Sequence, residues 1–191
     1  MCATLLMLTL AVTDPAATVF TIPSVSGVPG LMPGDAIVVL SYTAERQPER
    51  GDLAVYRGQQ DRAVHNVHRI VGLPGERIQM IGGALLIDGE AVERTEVGAY
   101  RLPETHGGRE DAAGLYRETL PGGVTFETLD IDPDGFLDDT PVFDVPADSY
   151  FVLGDNRDNA ADSRISAVGA IPRADLAGYV DRVACRGEAG R

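Results

Sequence analysis

The sequence predicts a mainly β fold with very little helix. Short runs rich in β-branched and aromatic residues recur along the chain, Gly and Pro punctuate the stretches between them (22 Gly and 12 Pro in 191 residues), and only Arg173-Ala174-Asp175-Leu176 reads as helix. Each element follows from local chemistry. Val19 to Ile22 is a strand stopped by Pro23, and Gly27, Pro29, Gly30, Pro33 and Gly34 make the next stretch a series of turns. Asp35 to Leu40 is a strand apolar enough to be buried on both faces. The turn from Gln47 to Asp52 leads into Leu53 to Tyr56, and Val64 to Val71 alternates as a further strand closed by Gly72-Leu73-Pro74-Gly75. Glu76 to Met80 and Ala84 to Ile87 flank Ile81-Gly82-Gly83 as a hairpin, and Asp88-Gly89 is a second tight turn before Glu90-Ala91-Val92. Residues 98–142 mix Gly, Pro and acidic residues with short apolar groups, and are expected to be an excursion of hairpins and loops without its own core. Val142 to Val145, Ser149 to Leu153 and Gly178 to Val183 complete the strands.

The expected organisation is an apolar N-terminal segment over 1–18, one domain over 19–183 and a tail over 184–191. A chain of 191 residues with 44% hydrophobic and 24% charged residues can bury one good core. Its net charge of −13 excludes the basic stripe that nucleic-acid binding requires, and argues against attachment by charge to an anionic lipid surface. Met1 to Val12 is apolar but shorter than the ~20 residues of a spanning helix, and no Lys or Arg precedes it. Part of a membrane anchor, an interfacial segment and a buried element all remain open for it. Cys2 and Cys185 match no metal-ligand spacing, and a disulfide between them is open. Asp130-Ile131-Asp132-Pro133-Asp134-Gly135 begins like a calcium loop, but Pro133 interrupts it and Pro141 stands where the closing Glu is needed, so an acidic turn is expected. No metal or cofactor is expected.

Three segments carry candidate chemistry. In Ile22-Pro23-Ser24-Val25-Ser26-Gly27-Val28-Pro29-Gly30-Leu31-Met32-Pro33-Gly34-Asp35, a serine in a Gly/Pro-rich turn exposes both its hydroxyl and its backbone N–H, which a nucleophile and an oxyanion donor need. In Val67-His68-Arg69-Ile70-Val71-Gly72-Leu73-Pro74-Gly75-Glu76, an imidazole sits within an apolar strand and must find partners for two ring nitrogens. Gly154-Asp155-Asn156-Arg157-Asp158-Asn159-Ala160-Ala161-Asp162-Ser163-Arg164 follows a strand and is dense in short polar groups suited to Asx turns or a catalytic carboxylate.

Together, in this order, the three segments resemble the motifs of the type I signal peptidases, membrane-bound serine peptidases that remove leader sequences from exported proteins. Supporting pieces are Pro48 to Leu53, Val145-Pro146 and Tyr150 to Leu153. The resemblance runs from about Val19 to Val180 and implies a signal-peptidase-like β catalytic domain. It places Ser26 as nucleophile, Ser24 with the Ser26 N–H in the oxyanion hole, and His68 where the family's general-base lysine stands. Arg69, Asp155 and Arg164 match charged residues that brace the site, and Asp162 the acidic residue beside it. The chain contains no lysine, all 16 basic residues being arginine, so a variant with His in place of Lys is implied. The serine that orients the lysine amine is Ala160 here, a change that suits an imidazole. Gly27 and Gly30 replace the motif methionine and threonine.

Histidine needs little adjustment to act as base, because its pKa of ~6.5 already lies near neutrality. Asp162 is the candidate for fixing its tautomer, with pairing of Asp162 to Arg164 as the competing reading. His65, three positions earlier, is expected to face opposite to His68, and His106 lies in a Gly-rich loop. The resemblance implies cleavage of signal-peptide-bearing precursors at the outer, periplasmic face of a bacterial inner membrane. Two alternatives stand beside it: a degenerate relative that binds precursors without cutting them, and a processing peptidase dedicated to one conjugation or pilus precursor.

Overall fold

The structure, a computed structural model, describes residues 17–101 and 112–187. The expectations for residues 1–12, for Cys2 and for His106 lie outside the described residues.

Strands β1 (Ala17–Thr21), β2 (Ala36–Leu40), β3 (Leu53–Arg57) and β4 (His65–Gly72) follow the first four predicted runs. A small meander comes next, made of β5 (Arg77–Ile81), β6 (Ala84–Ile87) and β7 (Glu90–Ala91). Its two tight turns have both central residues at positive φ, Gly82 and Gly83 at 51° and 73°, Asp88 and Gly89 at 53° and 84°, the conformation that matches hairpin twist. Asp88 tolerates it because its carboxylate accepts the Arg77 N–H at 2.9 Å. Then come β8 (Glu93–Arg101), β9 (Ala112–Thr119), β10 (Thr125–Asp130), β11 (Phe143–Asp144), β12 (Ser149–Leu153) and β13 (Ile171–Pro172). A 3-10 turn at Arg173–Asp175 is the helix-like stretch, and β14 (Leu176–Cys185) closes the chain.

The strands form a seven-stranded sheet in the order β1-β2-β14-β3-β4-β12-β13, a three-stranded sheet β10-β9-β8 and a four-stranded sheet β11-β5-β6-β7. All paired strands are antiparallel. Every residue of β12 is buried, because one side meets Tyr56, Ile70 and Ile171 while the other carries Phe151 and Leu153 into a cluster with Ile78, Met80 and Leu85. The mainly β class is as predicted.

Three boundaries differ from expectation. The excursion starts at Glu93 rather than at 98, and it is a sheet whose Ala113 and Leu129 share a buried cluster with Val28 and Met32 of the β1–β2 loop. The sequence conceals β8 because Glu-Arg-Thr-Glu-Val-Gly-Ala-Tyr-Arg has no apolar alternation; its pairing to β9, not burial, makes it a strand. β14 runs to Cys185, paired with Ala36, and Arg186 and Gly187 then donate to Asp35, so the tail begins later than 184. β1 begins at Ala17 because the ladder to β2 extends to the pair Ala17–Leu40. The acidic segment after β10 is a turn closed by Gly135 N–H to Asp132 C=O at 2.8 Å, with Asp158 accepting the Ile131 and Asp132 N–H groups.

Candidate active site

The loop between β1 and β2 carries Ser24 and Ser26. Its base is closed by Ile22 N–H to Asp35 C=O and Gly34 N–H to Ile22 C=O, both 2.8 Å, and the buried Asp35 carboxylate accepts the Met32 N–H at 3.0 Å. Val28 and Met32 anchor the loop on Leu129 of β10. From behind, Asn156 N–H donates to the Ser26 carbonyl at 3.0 Å and Asn156 Nδ2 to the Val25 carbonyl at 3.2 Å. This close approach explains Gly154: a Cβ there would lie 3.0 Å from the Ser26 carbonyl oxygen and 2.3 Å from Ala160 Cβ. Ser26 is half-buried, its Oγ lies 3.1 Å from Ser24 Oγ, and its backbone N–H has no acceptor among the described residues. Those groups can cradle an oxyanion.

His68 enters from β4, opposite Ala54 of β3. It is only 5% exposed, and burial pushes its imidazole below the usual histidine range. The charges of Asp162 and Asp155 oppose that shift and Arg164 adds to it. A cleft of about 310 Å³ is lined by Ser24, Ser26 and His68 together with apolar residues such as Ile22, Leu31 and Val55. His65 borders the same cleft from the exposed start of β4, its ring 5.2 Å from that of Phe20. The β3–β4 register sets His65 on the face of Val55 and Val67 and His68 on the face of Ala54 and Tyr56, so the two face opposite ways as expected, and only His68 is buried.

The bracing residues form a connected frame. Arg69, next to His68, grips the Asp155 carboxylate through Nε at 2.9 Å and Nη2 at 2.7 Å, and donates through Nη1 to the Gly51 carbonyl at 2.8 Å. Its guanidinium lies 4.2 Å from the Phe126 ring centroid. Asp155 leads directly into Asn156, so the strand that holds the imidazole and the loop that holds the serine are tied by one ion pair. The Asp155 carbonyl accepts from Leu129 N–H at 2.8 Å, and Arg157 N–H donates back to Leu129 at 2.9 Å, which zips the loop to β10.

Asp162 does not make the expected hydrogen bond to His68. Its Oδ1 accepts from Arg164 N and Nε at 3.1 and 2.9 Å, and its Oδ2 from Gly154 N and Arg164 Nη2 at 3.0 and 2.8 Å. A carboxylate offers about four lone-pair sites, so this one is saturated. The competing pairing to Arg164 wins, and Asp162 acts on the imidazole only through its charge. His68 Nδ1 instead lies 2.8 Å from Tyr56 Oη. Tyr56 was not among the predicted site residues; its one signal in the sequence is an aromatic on the strand antiparallel to the histidine. The buried pair of Arg157 Nη2 and Glu118 Oε2, 2.5 Å apart under the Gly154–Arg164 loop, was likewise invisible, because Glu118 lies in the excursion.

A β domain whose cleft joins a loop hydroxyl, a free backbone N–H and a buried imidazole has the parts of an acyl-transfer site. The chain belongs to the signal peptidase family, peptidase S26, whose model matches residues 1–184. It is 41% identical over 132 residues to a signal peptidase I of Rickettsia canadensis (strain McKiel), covering 66% of this chain and 48% of that protein. It is 40% identical over 134 residues to that of Rickettsia prowazekii (strain Madrid E), with the same coverage. The chain thus matches about half the length of these relatives. A crystal structure of a signal peptidase I from Enterococcus faecalis V583 aligns over 73% of this chain and 99% of that one, at 22% identity and a TM-score of 0.41.

Proposed function

We propose that this protein is a serine endopeptidase that removes N-terminal leader peptides from exported precursors by a Ser–His mechanism. The observation that carries the reading is the cleft shared by Ser26 and His68 in a chain of the signal peptidase family. Ser26 Oγ attacks the scissile carbonyl and passes its proton to His68. Before attack the 3.1 Å Ser24–Ser26 contact suits a Ser24 that donates to Ser26 Oγ and leaves the Ser26 proton for the imidazole; as the oxyanion forms, the one Ser24 O–H turns to it beside the Ser26 N–H. His68 then protonates the leaving amine, so that the C–N bond breaks, and activates water to release the acyl group. No step calls for a metal or cofactor.

The substrate lies extended along the cleft with small residues before the cut, larger side chains being excluded by the walls. The proposed place of action is the outer face of a bacterial inner membrane. Among the described residues no helix is long and apolar enough to cross a membrane.

A serine-directed acylating probe tests the reading. It is expected to label the wild-type protein and not Ser26→Ala, and His68→Ala is expected to cleave a leader-bearing precursor on the order of 10²–10⁴-fold more slowly while keeping its circular dichroism. Undiminished cleavage by His68→Ala would remove the imidazole from the mechanism. Absence of labelling in the wild type, with precursor still bound, would favour a binding protein on the same fold.

A further inference from the structure

We propose that Tyr56 is the positioning residue of His68: its phenol oxygen holds Nδ1, so that Nε2 is the nitrogen offered to the Ser26 cleft, and it accepts the Nδ1–H when Nε2 takes the serine proton. This rests on the reading of His68 as the base.

An imidazole that acts through one nitrogen needs its other nitrogen held, both to fix the ring and to stabilise the cation that forms. Asp162 cannot serve, since its acceptor sites are filled by Gly154 and Arg164. Asp155 is occupied by Arg69. Among the described residues, the side-chain hydrogen bond that His68 makes is the 2.8 Å contact between Nδ1 and Tyr56 Oη. Strand register produces it: Ala54 faces His68 and Tyr56 faces Asn66, so the tyrosine is the diagonal neighbour of the histidine on the same face of the β3–β4 ladder. Tyr56 is fully buried and packs with Ala54, Ile70 and Val152.

A phenol differs from a carboxylate here in two ways. First, it stays neutral. Burial, and after it the Asp162 charge, raises the Tyr56 pKa, so Tyr56 keeps its own proton and does not become a phenolate; a neutral phenol oxygen is too weak a base to take the imidazolium proton and only accepts a hydrogen bond from it. The proton balance is then simple. The Ser26 O–H bond breaks, its proton goes to Nε2, and the serine oxygen bonds the carbonyl carbon, whose oxygen becomes the anion. Nδ1 keeps its own proton and donates it to Tyr56 Oη throughout. Second, a phenol can also donate. In the opposite tautomer Tyr56 gives its O–H to Nδ1 and Nε2 carries the proton, a form that cannot act as base through Nε2. The base-competent form is the one with the proton on Nδ1. The groups whose charge acts on this imidazole are Asp155, Asp162 and Arg164.

Tyr56→Phe tests the inference with the shape of the core kept. A hydrogen bond to a cation is stronger than one to a neutral ring, so losing it should lower kcat about 10- to 100-fold with KM unchanged. The same loss should lower the His68 pKa, read from nitrogen chemical shifts of labelled histidine. A merely structural tyrosine would lower Tm and leave both values alone, and that result would overturn the proposal. In the wild type, below the His68 pKa, the Nδ1–H should be protected from solvent exchange and show a dipolar contact to the Tyr56 ring. A rapidly exchanging Nδ1–H would overturn the proposal even if Tyr56→Phe failed to fold. Cleavage by His68→Ala separates the two readings. If that variant is inactive and Tyr56→Phe is unchanged, only the tyrosine inference falls; if it is fully active, the base assignment falls with it.

Discussion

His68 concentrates the physical tension of the site. As the proposed base it must stay uncharged to accept a proton, then carry a charge briefly in a place where burial penalises it. Because burial lowers its pKa, the base form persists below the ordinary value of 6.5. The acid limb of kcat/KM against pH is therefore expected to reach half-maximum below pH 6.5, measured with a leader-bearing precursor. Stability should show the same group. The folded pKa is depressed, so below about pH 6.5 the unfolded chain binds the proton first, and stability falls as pH falls toward the folded pKa. Above the unfolded pKa this contribution is fully present and flat. A comparison of Tm against pH for wild type and His68→Gln should show that slope only in the wild type, and equal slopes would mean that the imidazole titrates as it does in the unfolded chain.

The loop from Gly154 to Arg164 does at the scale of an element what no single residue does: it holds Ser26, the proposed nucleophile, from behind. Its backbone passes so close to Ser26 that position 154 has no space for a Cβ. Gly154→Ala should push the loop off Ala160 and lengthen the Asn156 N–H to Ser26 hydrogen bond. We expect a loss of about 1–3 kcal/mol in stability from overpacking, with kcat reduced more than KM, read by urea denaturation and by steady-state kinetics. The position of this loop after a strand was legible in the sequence, because Tyr150 to Leu153 is an aromatic and aliphatic run and the segment after it is dense in short polar residues. Its connection to β10 was not. The Leu129 contacts with Asp155 and Arg157 join residues in segments with no shared pattern, and β8 to β10 declare themselves as a sheet only by pairing with one another.

At the scale of the molecule, the three-stranded sheet supports the proposed site, since Leu129 and Ala113 floor the loop that carries Ser26. Leu129→Ala, at a fully buried position, should cost about 2–5 kcal/mol, visible as a lower urea midpoint at unchanged m. It should also slow cleavage through the loosened serine loop; a stability loss with kcat intact would show that the sheet is scaffolding only. Outside β8 to β10, the sequence alone determined the strand-and-turn course of the chain, and with it the order of the Ser24–Ser26 turn, the His68 strand and the Gly154–Arg164 loop. These are local matters, written in side-chain alternation and in turn chemistry within a few residues. Tertiary structure decided which polar groups meet. Asp162 follows Arg164 because four N–H donors converge on it, and His68 turns to Tyr56 because antiparallel register sets the two side by side on one face. Hydrogen-bond capacity is a finite, three-dimensional count, and one-dimensional spacing does not reveal how it is spent.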